Sequence, residues 1–207
     1  MKRNYLLISL IVIICVLATA NGCIYDELAG EVVVTEKICV QFEETRTSPN
    51  FSSYEVDNRF RERLMDLMDE NGLTLADIRS ANVVSGTYKV TKPSKSHAWA
   101  ISGNVSVARQ DIPGDPYSDG PAPLVNLINQ SLKDAKGKPT PAVLIADGVA
   151  VLDRALQAVI DGEDPRLVLI MESGDVVPAP SVADPLEFKW LSCVTFQVVV
   201  GVSMAAE

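Results

Sequence analysis

The sequence holds a single histidine, His97, at the head of a strand pattern and beside a loop. It has no G-x-S-x-G elbow or other nucleophile motif. A Ser-His-Asp or Cys-His mechanism would therefore have one residue to use and no partner for it. C-x-x-C and H-E-x-x-H are absent, which removes the common zinc sites. Neither G-x-x-x-x-G-K-[ST] nor a post-strand G-x-G-x-x-G occurs, so both usual phosphate cradles are missing. Basic residues number 18 against 27 acidic ones. Binding of nucleic acid through a basic face is accordingly not expected. No apolar run reaches the roughly 20 residues that span a bilayer comfortably. With no internal repeat, solenoids and propellers are not expected. The expectation is a chain without cofactor or resident metal, more a binder than an enzyme.

What the sequence does contain begins at its amino terminus. Lys2 and Arg3 precede an almost wholly apolar stretch from Tyr5 to Ala18, the layout of a secretory signal. Two cuts are open. Ala18-Thr19-Ala20 is an A-x-A site that would release a soluble chain starting at Asn21. Ala20-Asn21-Gly22-Cys23 resembles the lipobox of bacterial lipoproteins, where small residues precede a cysteine that takes a lipid and becomes the first residue. That family prefers Leu three places before the cysteine, where this chain has Ala20. The resemblance implies a signal peptide over residues 1–22, lipid on Cys23 and a membrane contact through that anchor. It further implies a tether over residues 23–30. Because Ile24 rather than Asp follows, it also implies the outer membrane, facing the periplasm or the cell surface. It covers only these first residues.

Cysteine arithmetic bears on the choice. Of four cysteines, Cys15 lies inside the signal, so export leaves Cys23, Cys39 and Cys193. An exported odd thiol invites wrong pairing; lipid on Cys23 would leave a pair. Cys39 and Cys193 fall on the polar faces of the first and last predicted strands. If those strands are neighbours, a bridge across them closes a loop of roughly 150 residues and stabilises by about 4 to 5 kcal/mol on the chain-entropy model.

Beyond residue 22 stand 185 residues with 16 basic and 27 acidic side chains, net −11. That length suits one domain, residues 31–207, with a substantial core. In residues 31–44, Ile38, Val40 and Phe42 alternate with Cys39 and Gln41, a strand. Thr45 to Ser53 reads as a loop. Ser52 and Glu55 have capping-box spacing ahead of a helical stripe of Val56, Phe60, Leu64, Leu67 and Met68, stopped at Asn71-Gly72. Thr74 and Asp77 suggest one further short turn.

Val84, Tyr88 and Val90, then Trp99, Ile101, Val105 and Val107, mark two strands that the short "KPSKSH" predicts to be an antiparallel hairpin. Residues 111–123, with four prolines and two glycines, read as irregular. The next expectations are a helix on Leu124, Leu127, Ile128 and Leu132 ending at Gly137, a buried strand at "PAVLIA", and a helix capped by Asp147. That last helix carries Leu152, Ala155, Leu156, Val159 and Ile160 and closes at Asp161-Gly162. Two strands follow, the second alternating Phe188, Trp190, Val194, Phe196 and Val198 with Lys189, Cys193, Thr195 and Gln197. The fold class predicted is α+β: a mostly antiparallel sheet or β-sandwich with about three covering helices. A doubly wound parallel fold is the alternative, and strict alternation of strand and helix fails for it.

Several residues invite chemistry. Asp111, Asp115 and Asp119 partly match the opening of a calcium loop, but Tyr117 takes a ligand position and Asn126 stands where Glu is wanted. Paired carboxylates could serve glycoside hydrolysis, yet nothing in the sequence selects a pair. Trp99 and Trp190 lie on faces assigned to the core. The sequons at Asn50, Asn104 and Asn129 read as incidental. The expected function is a lipid-anchored cell-envelope protein with a non-enzymatic binding or assembly role and a protein or glycan partner. The alternatives are an exported hydrolase acting on glycans and a secreted soluble binding module.

Overall fold

A computed structural model describes residues 29–93 and 99–203. Cys23, the signal, most of the tether and His97 lie outside the described residues. The elements are β1 (Ala29–Arg46), β2 (Phe51–Asp57), α1 (Phe60–Glu70), a 3-10 turn (Leu75–Asp77), β3 (Ile78–Pro93), β4 (Ala100–Gln110), β5 (Asp119–Ser131), β6 (Thr140–Ala142), α2 (Ala146–Ile160), β7 (Arg166–Val177) and β8 (Leu186–Ser203). One compact unit runs from Glu31 to Gly201.

Two four-stranded sheets result, ordered β1-β8-β3-β6 and β2-β7-β4-β5. Every strand-to-strand connection except β4–β5 passes from one sheet to the other, the double Greek-key path of an eight-stranded jelly roll. The named pairs β2/β7, β3/β6, β3/β8, β4/β5 and β4/β7 are all antiparallel, which rules out the doubly wound alternative. The predicted β3–β4 hairpin is overturned, since the two strands sit in different sheets. Alternation within each strand cannot show which sheet the strand joins.

Aromatic and branched side chains fill the space between the layers. Trp99, Trp190, Phe42, Phe60, Phe188 and Phe196 are all fully buried. The Phe51 and Phe188 rings, 5.9 Å apart, join the two sheets, and Phe60 against Phe196 at 5.6 Å seats α1 on β8. Two voids between the sheets measure about 20 and 10 Å³, room for a water at most.

Among the described residues there are two α-helices, not three. The expected helix on Leu124, Leu127 and Ile128 is instead strand β5, and the register explains the misreading. Against β4, the step from Ile101 to Gly103 matches Gln130 to Leu127, Val105 to Ser106 matches Val125 to Pro123, and Val107 to Arg109 matches Ala122 to Asp119. Each step puts one extra residue on β5, a bulge. The bulges bring Leu124 and Leu127, three apart, to the same buried side, which imitates helical spacing. Ile128 is left 84% exposed. Asn129 takes φ 48° within one bulge, a conformation Asn tolerates better than most residues. As an edge strand, β5 also accommodates Pro121 and Pro123, whose missing donors cost little there.

Smaller corrections have similar causes. The segment read as loop and helix start, Phe51 to Asp57, is strand β2, because pairing with β7 satisfies its backbone along the whole stretch. The Ser52/Glu55 capping box therefore does not form. A capping box does form at Thr74 and Asp77. Asp57 takes over at α1: its carboxylate accepts the Arg59 N–H at 3.0 Å and pairs with Arg63 at 2.5 Å. Val84 is exposed rather than inward, since the register shifts between Val83 and Ser85 and Gly86 takes the inner position. "PAVLIA" supplies only the short edge strand β6, with Val143 86% exposed. The second helix has Ile145 at its cap position without a side-chain bond, and Asp147 sits in the first turn.

Cys39 and Cys193 are joined by a disulfide, Cα atoms 4.0 Å apart and 154 residues distant in sequence. It ties edge strand β1 to its neighbour β8. Although placed opposite the inward residues of β8, Cys193 is only 6% exposed.

Candidate functional site

The two edges β5 and β6 come together at an isolated antiparallel bridge, Val125 with Leu144, reinforced by the Ile145 N–H donating to the Leu124 carbonyl at 2.9 Å. Helix α2 follows at once, and Gly148 lets its backbone press against β5: a Cβ there would lie 2.6 Å from both Leu124 Cα and the Pro123 oxygen. Beyond the bridge no further pairing joins the two segments among the described residues. Between them opens a surface groove of about 400 Å³, within the usual range of small-molecule sites.

Its floor is rigid. Tyr88 of β3 stacks on Trp190 of β8, centroids 4.7 Å apart and planes 11° from parallel. The Tyr88 hydroxyl donates to Gln130 Oε1 at 2.5 Å, and burial raises the phenol above its ordinary pKa. Leu127 is buried beside it, while Ile128 and Val143 stand exposed on opposite walls. Asn126 and Gln130 add the polar groups, and the lining carries no charge. Such a groove can hold an apolar body and orient it by amide hydrogen bonds. The residues of this site were assigned by sequence to a helix and a buried strand. A legible warning was Pro121 and Pro123 so close to Leu124, the mark of an edge strand.

A second concavity, about 290 Å³, runs along α1 and is lined by Glu62, Asp66, Asp69 and Asp164 with Arg61 and Met65. Arg59 holds Glu62 there and lowers its pKa.

The remaining sequence candidates are dispersed. Arg109 hydrogen-bonds Asp111 at 2.6 Å and also contacts Glu163, while Arg154 pairs with Asp119. Guanidinium groups thus occupy two of the three carboxylates of the calcium-loop reading, and no cluster of metal-ligating side chains occurs among the described residues. Trp99 and Trp190 are core, 1% and 0% exposed, and offer no face to a sugar. A glycosidase acid needs a raised pKa. Glu62 and Asp111 are lowered chiefly by arginine hydrogen bonds, Asp119 likewise by Arg154, and Asp77 by Thr74.

Those lowered values carry a pH dependence. A carboxylate whose folded pKa is depressed contributes stability that is present above its unfolded value, 3.8 for Asp119, and lost as pH falls through the folded value. Arg154 is 55% exposed, so solvent screening holds the Asp119 contribution to about 0.5 kcal/mol or less. In urea titrations from pH 6 to pH 3, Asp119→Asn should start lower than wild type by that amount at pH 6, converge with it at pH 3, and so lose less stability in acid. A variant as acid-sensitive as wild type would show the pair to be idle.

Fold and site together define an eight-stranded jelly roll with a neutral, apolar groove where its two sheets meet. No family model matches the chain, and no curated protein matches it. Among solved structures it is similar to a chain titled Desmodium yellow mottle tymovirus, at 11% identity over 91% of this chain and 99% of that one, with a TM-score of 0.31. So slight a likeness carries no argument about this protein.

Proposed function

We propose that this is an exported cell-envelope protein, anchored by lipid at Cys23 and directed to the outer membrane, whose jelly roll works by binding rather than by catalysis. The observation that carries the reading is the Cys39–Cys193 bridge. Disulfides persist in oxidising compartments. The bridge consumes two of the three cysteines beyond the signal, so Cys23 is the one left for lipid. No described helix is long and apolar enough to cross a membrane. The groove supports the binding role, and its apolar lining favours a greasy ligand over a sugar.

Growth with a clickable fatty acid should label the wild-type protein, and Cys23→Ala should abolish the label. Equal labelling of the two proteins would remove the anchor.

A further inference from the structure

Three lysines lie on the turn that joins the two walls of the groove. Both its walls, β5 and β6, lead into the turn of residues 132–139, which carries exposed Lys133, Lys136 and Lys138 beside one acid, Asp134. That turn is pinned to β3: the Val90 N–H donates to the Ala135 carbonyl at 3.0 Å, and the Gly137 N–H to the Val90 carbonyl at 2.8 Å. Val90 lies two residues along from Tyr88, the groove floor, a rise of roughly 7 Å on one strand. In a chain with net charge −9, three lysines on the turn that joins the walls of a neutral apolar groove form a local positive pole. From Asn126 to Gln130 the bulged wall runs alongside Asn104 to Ile101 of β4, about 10 Å, comparable to an extended chain of about eight methylenes at ordinary single-bond geometry.

We propose that the β5–β6 groove binds a long-chain carboxylate, its hydrocarbon lying along β5 between Ile128 and Val143 and its head at the Lys133–Lys138 turn. Neutral walls accept the chain, amides at Asn126 and Gln130 flank it, and the lysines complement the anion. The proposal rests on the binding role argued above and is independent of the lipid at Cys23.

The mature chain carrying Cys23→Ala, which needs no detergent, is titrated calorimetrically with dodecanoate and with methyl dodecanoate. Dodecanoate should bind one to one, and each methylene removed should weaken it about twofold to fourfold. Ile128→Glu and Val143→Glu change exposed side chains that the core does not use, and each should weaken binding about tenfold or more. Joint reversal of the three lysines to Glu should weaken dodecanoate about fivefold and the ester less than twofold, a difference that fades as salt rises. No binding, binding unmoved by Ile128→Glu, or equal affinity for acid and ester would each overturn the proposal. Self-association abolished by Ile128→Glu, without dodecanoate binding, would also overturn it and give the groove to a second copy. Dodecanoate binding in a protein whose wild type takes no lipid label would refute the anchor alone.

Discussion

Reduction of the Cys39–Cys193 bridge, or Cys193→Ala, should lower stability by about 3 to 5 kcal/mol. On the chain-entropy model, closing a loop of 154 residues restricts the unfolded chain by about 5 kcal/mol, and real bridges often deliver somewhat less. The location adds a structural reason. β1 is an edge strand bonded on one side only, to β8, so without the covalent link it depends on one ladder and on Ile38 and Phe42 in the core. Urea unfolding with and without reductant should show the midpoint fall by about 2 M. Cys39→Ala and Cys193→Ala should each reproduce the loss, and combining them should add little. A wild-type midpoint indifferent to reductant would mean the bridge restricts nothing that folding restricts.

Trp190→Ala should cost about 3 to 5 kcal/mol, the usual range for deleting a large buried aromatic. Trp190 is 0% exposed, its ring stacked on Tyr88, and its indole N–H donates to the Ser192 hydroxyl at 2.9 Å. Removing it opens a cavity between the sheets and takes away the support beneath the groove. Stability and dodecanoate affinity should therefore fall together. Trp190→Phe should restore most of both, whereas Tyr88→Phe, which loses only the bond to Gln130, should cost about 1 kcal/mol. Calorimetry of ligand binding beside urea unfolding separates the outcomes. Full affinity in a destabilised Trp190→Ala would show that the floor does not depend on the stack.

The elements best read in advance were those whose surroundings are uniform. β8 lies inside its sheet between β1 and β3, with one face to the core along its length, and its alternation from Phe188 to Val200 was plain. The stripes of α1 and α2 were equally plain, because a helix on a sandwich buries one side. β5 failed for a local reason: its bulges reset which side each residue faces, so the period of a strand was hidden in a spacing of three. The Cys39–Cys193 pairing was approachable because it needed only the adjacency of the first and last strands. The groove was not approachable, because its walls come from misread segments and its floor, Tyr88 on Trp190, joins residues about 100 positions apart.

By itself the sequence determined the signal-like start with its lipobox-like cysteine, the acidic balance, the lack of known catalytic motifs and the apolar faces of the long regular elements. All of these depend on residue identity or on spacing within a few positions. Only the tertiary structure decided which strands share a sheet, that β3 and β4 part company, that Cys39 reaches Cys193, and that Ile128 and Val143 line one open groove. Hydrogen-bonded ladders are chosen between distant segments, and a single bulge changes the side on which every later residue falls.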